Sequence, residues 1–150
     1  MNKHPILLFT PANRREFMEK ASKYHPDAII IDLEDALAVD LKEKVRREVT
    51  DLIPTLDVEC IVRVNHEPEY LEKDLEAVVS KHIFGIMVPK VETVGLIKTV
   101  DKILKSYYLS LGYVPLAIRQ LFRKNGFNEL KRMFYLGRKF VAYTSGRKRI

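Results

Sequence analysis

The sequence lacks several features that would assign it to a common class of protein. It contains one cysteine, Cys60, so an internal disulfide is excluded, and its place in an apolar run predicts a small buried side chain. No apolar run reaches the roughly 18 residues that a membrane span requires. The first residues lead into a predicted strand without the apolar region of a signal peptide. We therefore expect a cytoplasmic protein with no membrane association.

Motifs for nucleotides and for zinc are also missing. There is no glycine-rich phosphate loop, and the four histidines include no pair spaced i,i+4 that a cysteine-poor zinc site would need. The apolar fraction of 47% and the charged fraction of 31% are typical of a globular domain. At 150 residues the chain is one ordinary domain, shorter than the roughly 250 residues of a closed (β/α)8 barrel.

Charge is divided unevenly along the chain. Residues 1–100 contain 14 Lys and Arg against 18 Asp and Glu, whereas residues 101–150 contain 12 against 2. Such a basic segment can bind nucleic acid or an anionic surface. The basic residues of 119–150 are interleaved with Leu, Phe and Tyr and match no known recognition motif, which argues against nucleic acid.

One stretch organises the rest of the chain. Residues 28–31 are four consecutive apolar residues, which is typical of a parallel strand buried on both faces, and the carboxylates of Asp32, Glu34 and Asp35 follow at once. In parallel α/β folds, ligands bind at the carboxyl ends of the strands. The cluster is therefore a candidate site.

Around this stretch, strands and helices alternate as in βαβ units. Strands are predicted at 5–9, 28–31, 60–64 and 83–88, and helices at 14–24, 40–52, 67–81 and 94–104. The helix at 40–52 has an apolar face of Leu41, Val45, Val49 and Leu52, and we expect its Lys and Arg residues to be solvated. The fold class is α/β, with about five or six βα units of a parallel sheet in an incomplete (β/α)8 barrel.

Four further residues are candidates for binding. Arg63 lies in an apolar strand, where a guanidinium needs a partner; Glu34, Asp35 or a substrate carboxylate would serve, and a purely structural ion pair is the alternative. Lys90 follows a strand and either holds an anion or is solvated. Asn13 and Arg14 follow the first strand, where Asn13 would equally cap the next helix.

Four segments together resemble the citrate lyase beta-subunit family of the HpcH/HpaI aldolase and malyl-CoA lyase group, over residues 5 to about 104. They occur in the family's order and at similar intervals. The segments are ILLFTPANR (6–14), DLEDA (32–36), IVRVN (61–65) and GIMVPKVE (85–92).

The resemblance implies a TIM-barrel carbon–carbon lyase that cleaves citryl-CoA or a related 3-hydroxyacyl-CoA with Mg²⁺. It implies that Glu34 and Asp35 orient metal-bound water or substrate and that Arg63 binds the substrate acid. It also implies that Asn13 and Arg14 lie near the CoA-like part of the substrate.

Beyond residue 104 the chain departs from the family pattern. Tyr113 and Lys139 stand where the family's metal-binding Glu and Asp are expected, so we assign no metal ligand and expect magnesium to bind poorly. Residues 105–150 are interpreted as a diverged, truncated or frame-shifted basic segment. We therefore expect an inactive relative of the lyase, or a non-catalytic remnant or accessory subunit. Its unpaired sheet edge predicts association with a second copy or a partner chain.

Overall fold

The computed structural model describes residues 6–35, 37–110, 132–136 and 139–143. Of residues 108–110 and of the last two ranges only the backbone is considered. The strands are β1 (Leu7–Pro11), β2 (Ala28–Asp32), β3 (Cys60–Arg63), β4 (Gly85–Val88), β5 (Arg132–Leu136) and β6 (Lys139–Tyr143). The helices are α1 (Arg15–Ala21), α2 (Lys42–Leu52), α3 (Pro68–Val78) and α4 (Val94–Ser110).

The strands form one sheet in the order β1-β2-β3-β4-β6-β5. Neighbouring strands are parallel, except that β5 is antiparallel to β6. The first four strands and their helices form four of the five or six predicted βα units, and the α/β class is confirmed. The antiparallel β5 was not expected, because neither its direction nor its partner can be inferred from the sequence pattern.

Several element boundaries differ from the predicted ones. β1 begins and ends two residues later than predicted, and α1 stops at Ala21, followed by a 3₁₀ turn at Ser22–Tyr24. Pro68 occupies the first turn of α3, where its missing N–H costs nothing. α4 continues to Ser110, through the boundary after residue 104 that the sequence suggested between two parts of the chain; that boundary stays a prediction.

The two faces of the sheet bury different sets of residues. The helices cover one face, where the larger part of the core lies, including Ile29, Ile31, Val62, Ile86 and Val88. Cys60 belongs to this core and is 1% exposed, as predicted for a small buried side chain. The opposite face carries a smaller apolar group of Ala28, Ile30, Ile61 and Met87.

The strand β1 and the residue before it leave large apolar side chains accessible. Ile6, Leu7 and Phe9 are 63%, 42% and 52% exposed. Among the described residues, β1 pairs on one side only, with β2. No helix of the described part of the chain is both long and apolar enough to cross a membrane.

Candidate functional site

The strand register brings the carboxyl ends of β2 and β3 together. Asp32 and Arg63 are paired positions of these two parallel strands, so their side chains project from the same face of the sheet. Arg63 Nε donates to Asp32 Oδ1 over 2.8 Å, and Arg63 Nη2 donates to Asp32 Oδ2. This two-pronged geometry is the one that suits a guanidinium and a carboxylate. Arg63 Nη2 also donates to Asp35 Oδ2 at 3.0 Å.

The carboxylate of Glu34 is held between two cations. The Glu34 side chain is 4% exposed; Lys90 Nζ lies 2.8 Å from Glu34 Oε1, and Arg63 Nη1 lies 3.7 Å from Glu34 Oε2. Apart from these ion pairs, neither Glu34 oxygen accepts an aligned hydrogen bond from the described residues. Lys90 also lies 3.7 Å from Asp35. Together, Asp32, Glu34, Asp35, Arg63 and Lys90 form what we call the edge cluster.

Backbone geometry contributes to the edge cluster at two points. Asp32 Oδ1 accepts a hydrogen bond from the Glu34 amide at 2.9 Å, which turns the chain immediately after β2. Lys90 adopts the left-handed region with φ of 50°, a conformation that is uncommon for a lysine. The Glu34 carboxylate raises the pKa of Lys90, so the ammonium remains charged.

Four of the six residues predicted for the site lie together, and two do not. Glu34, Asp35, Arg63 and Lys90 converge as the strand ends indicated. The main partner of Arg63, however, is Asp32 rather than Glu34 or Asp35. Asn13 and Arg14 follow β1 at the same edge, but no hydrogen bond or ion pair among the described residues joins them to the edge cluster. Their predicted role in binding stays a prediction.

The local structure around Asn13 and Arg14 also differs from the capping alternative. Arg14, not Asn13, is the residue that precedes the first turn of α1, and no side chain caps that turn. Arg14 Nη1 lies 3.9 Å from Glu16 in an exposed pair, which contributes little to stability.

A second set of polar residues is buried beneath the edge cluster. Lys42, Arg46, Asn65 and Asp74 are each 7% exposed or less, and we call them the buried polar network. Lys42 Nζ donates to Asn65 Oδ1 at 2.6 Å, and Asn65 Nδ2 donates to Asp74 Oδ2 at 2.7 Å. Arg46 Nε donates to Asp74 Oδ1 at 2.8 Å. The expectation that the Lys and Arg residues of α2 are solvated is wrong for Lys42 and Arg46.

The reason for this error lies in the turn that precedes α2. Leu41 was predicted on the apolar face of the helix, but it ends a 3₁₀ turn at Val39–Leu41 and is 40% exposed. Lys42 and Arg46, one helical turn apart, point inward in its place. The i,i+4 spacing of these two cations was the signal that the sequence offered.

Sequence reasoning also missed two neighbours of the edge cluster. Phe9 of β1 lies under the guanidinium of Arg63, with 5.4 Å between Arg63 Cζ and the ring centroid. His66 Nδ1 lies 3.3 Å from Glu34 Oε1 and 3.5 Å from Glu67 Oε2. The position of His66 three residues after Arg63, just past the end of β3, was the signal for its proximity.

Asp32 is expected to make stability depend on pH. Burial opposes its ionisation, but the hydrogen bonds from Arg63 and from the backbone of Glu34 and Asp35 outweigh burial and lower the pKa of Asp32. A carboxyl with a lowered pKa stabilises the fold above its ordinary pKa of about 3.9, and this stabilisation is lost as the pH falls through the folded pKa.

We therefore expect Asp32→Asn to lower the free energy of unfolding by about 1.5–3 kcal/mol at pH 7, the range for hydrogen bonds to charged groups. At pH 3 the loss should be smaller. Urea unfolding at both pH values measures the difference, with the exposed Asp57→Asn as the control. An equal loss for Asp32→Asn at both pH values would contradict this assignment.

The fit of the edge cluster to a magnesium ion depends on which of its carboxylate oxygens are free. Among the described residues, no group of three or more His, Cys, Asp or Glu side chains could hold a metal ion. Asp32 and Asp35 are engaged by Arg63, and Glu34 lies within 3.7 Å of two cations. Mg²⁺ binds through oxygen ligands and would be repelled by cations this close. The described residues therefore do not fit a magnesium ion.

Of the two positions where the family's metal ligands were expected, Lys139 is the one that lies among the described residues. Tyr113 lies outside the described residues. Phe140 and Tyr143 pair in parallel with Gly85 and Val88, so Lys139 begins β6 at the amino edge of the sheet. The edge cluster lies at the opposite edge. Lys139 therefore does not replace a metal ligand at this site.

Comparison with known proteins identifies the family. The profile of HpcH/HpaI aldolase/citrate lyase matches residues 5–123. The chain belongs to this family. As a member of the HpcH/HpaI family, it contains part of a TIM-barrel-type α/β fold.

Individual relatives agree with this family assignment. The citrate lyase subunit beta-like protein of Deinococcus radiodurans is 34% identical over 124 residues, which cover 74% of this chain and 43% of the relative. A (3S)-malyl-CoA thioesterase of Cereibacter sphaeroides is 39% identical over 94 residues, covering 59% and 33%. The chain thus spans about a third to two fifths of the length of these curated relatives.

A solved structure is similar as well. The citrate lyase beta subunit of M. tuberculosis, complexed with oxaloacetate and magnesium, is 32% identical with a TM-score of 0.56. The match covers 66% of this chain and 44% of that one. Structures of the HpcH/HpaI family therefore include magnesium complexes, although the described residues of this chain do not form such a site.

Proposed function

We propose that this chain carries the acid-binding part of a CoA-related carbon–carbon lyase and does not itself perform magnesium-dependent cleavage. The observation that carries the proposal is the position of Lys90, whose side chain is half exposed beside the buried Glu34 carboxylate. A citryl-CoA or related 3-hydroxyacyl-CoA would present its acid group to this ammonium. Oxaloacetate in the M. tuberculosis relative is an acid of the same class.

The charges of the edge cluster set how strongly an acid binds. Arg63 is committed to Asp32 through two donors, and its Nη1 group, facing Glu34 at 3.7 Å, is the donor left for a ligand. Asp35 is 59% exposed and would repel an anion. Three carboxylates face two cations, so we expect weak binding of a simple acid, on the order of millimolar.

The chemistry follows from the same residues. Lys90 and Arg63 Nη1 would orient the acid, and the Glu34 carboxylate would hold these two cations in place. No described group stabilises the charge of an enolate as a metal ion does. An accessory role, in which a partner chain supplies that group, is the alternative use of the same site.

A titration with L-malate tests the proposal, with binding followed by NMR shifts of the labelled chain. We expect Lys90→Gln to weaken malate binding about threefold to tenfold, because it removes an exposed charge-assisted contact. Asp35→Asn should have the opposite effect and tighten malate binding a few-fold. The exposed Lys98→Gln on α4 is the matched control and should have no effect.

Two results would overturn the proposal. One is the absence of malate-induced shifts around Glu34 and Lys90 in the wild-type chain. The other is equal malate affinity in Lys90→Gln and Lys98→Gln, because binding would then depend only on overall charge.

A further inference from the structure

Lys42 is a buried cation at a position that is unfavourable for a cation. It is the first residue of α2, where the helix dipole disfavours a cation, and it is 7% exposed. Burying an ammonium is costly unless hydrogen bonds replace its water shell. Its position therefore depends on the partners that the fold provides.

Those partners surround the ammonium. Lys42 Nζ donates to the carbonyl of Leu33 at 3.2 Å, to the carbonyl of Glu34 at 3.3 Å and to Asn65 Oδ1 at 2.6 Å. The ring of Tyr70 lies 5.2 Å from Nζ, within the range of a cation–π contact. An ammonium has three protons, and three acceptors are present.

Two of these acceptors belong to the segment that carries the site. Leu33 and Glu34 are the residues between β2 and Asp35, and their carbonyls define the path of the chain through the edge cluster. Asn65 Nδ2 also donates to the Leu33 carbonyl, at 3.1 Å. Asn65 follows the end of β3, two residues after Arg63. Lys42 and Asn65 thus connect the two segments whose side chains meet above them.

We propose that Lys42 is a positioning residue that fixes the backbone of Leu33 and Glu34, so that the Glu34 carboxylate faces Lys90 and Arg63. Lys42 does not touch the ligand; it acts through the segment that it holds from below. The consequence for acid binding rests on the function proposed above, whereas the consequence for the backbone does not.

Lys42→Met tests the inference because it retains the length of the side chain and removes the ammonium. The matched control is Lys44→Met on the same helix, because the Lys44 side chain is 73% exposed and its Nζ lies 3.7 Å from Glu48 Oε1. We expect the amide of Glu34, which donates to Asp32 Oδ1, to exchange its hydrogen about tenfold faster in Lys42→Met, measured relative to the buried amide of Ile31. Lys44→Met should leave this ratio unchanged.

Malate affinity supplies the functional readout, at a temperature where the variants are fully folded. Lys42→Met should weaken malate binding severalfold, whereas Lys44→Met should not. If the wild-type chain does not bind malate, the proposed function fails, while the exchange ratio at Glu34 still tests Lys42. Equal exchange ratios in the two variants would overturn the positioning role.

A measurement on the wild-type chain covers the case in which Lys42→Met does not fold. An ammonium with three acceptors exchanges its protons slowly enough for its ¹⁵N signal to be observed. We expect such a signal from Lys42 in the wild type, with contacts to the Asn65 side chain. Its absence would overturn the inference.

Discussion

Asp74→Asn is expected to lower the free energy of unfolding by about 3–5 kcal/mol, the cost of breaking a buried ion pair from one side. Asp74 is 1% exposed and accepts hydrogen bonds through both oxygens. Oδ1 lies 2.8 Å from Nε and Nη2 of Arg46. Oδ2 accepts from the backbone N–H of Asn65 at 2.8 Å and from its side-chain Nδ2 at 2.7 Å.

Asparagine has the same shape as aspartate. Its NH₂ group, however, would face a donor that in the wild type points at a carboxylate oxygen. It also leaves the guanidinium of Arg46 buried without its counter-ion. Urea unfolding measures the loss, and Glu72→Gln, an exposed change half a turn earlier in α3, should remain within about 0.5 kcal/mol of the wild type. A loss below about 1 kcal/mol for Asp74→Asn would mean that the buried polar network opens to water.

The purified chain is expected to show no magnesium-dependent cleavage of citryl-CoA or malyl-CoA. In such a reaction the metal stabilises the enolate, and that contribution amounts to several kcal/mol, or several powers of ten in rate. The described residues provide no cluster for the ion. Arg63 and Lys90 already form ion pairs with Asp32 and Glu34.

The measurement compares cleavage with and without Mg²⁺, and calorimetry follows magnesium binding directly. The citrate lyase beta subunit of M. tuberculosis is the positive control for binding, since it forms a magnesium complex. Lys139→Asp should give no gain in affinity, because Lys139 lies at the opposite edge of the sheet. Cleavage above the magnesium-free background would refute the expectation.

The sequence predicted which strand ends form the site better than it predicted the contacts between their side chains. The apolar run before Asp32 is a strong signal for a buried parallel strand, and parallel strands place their carboxyl ends at one edge. The convergence of Glu34, Asp35, Arg63 and Lys90 follows from these two facts. The family resemblance predicted the same segments, and the match to residues 5–123 confirmed it.

The partner of Arg63 required information that a sequence pattern does not contain. Asp32 was recognised as part of the carboxylate cluster, but its pairing with Arg63 depends on the register of β2 against β3. A shift of one residue would have placed the two side chains on opposite faces. Register is set by packing across the whole sheet, so it emerges only in three dimensions.

The burial of Lys42 could not be predicted from the sequence for a different reason. A charged residue beside an apolar stripe is usually solvated, and propensity rules treat it so. Here the acceptors come from Leu33 and Glu34 before the helix and from Asn65 just after β3. A buried cation is predictable only when its acceptors are known, and those are supplied by segments distant in the chain.

The buried thiol has a practical consequence. Burial, with a smaller contribution from Glu59, raises the pKa of Cys60 to about 12, and its Sγ lies 3.3 Å from the carbonyl oxygen of Val58. The thiolate is the form that reacts with maleimides, and it is scarce at neutral pH for such a group. The chain thus behaves toward these reagents as though it had no cysteine. A single cysteine introduced on its surface would take up a fluorophore or spin label selectively, without prior replacement of Cys60.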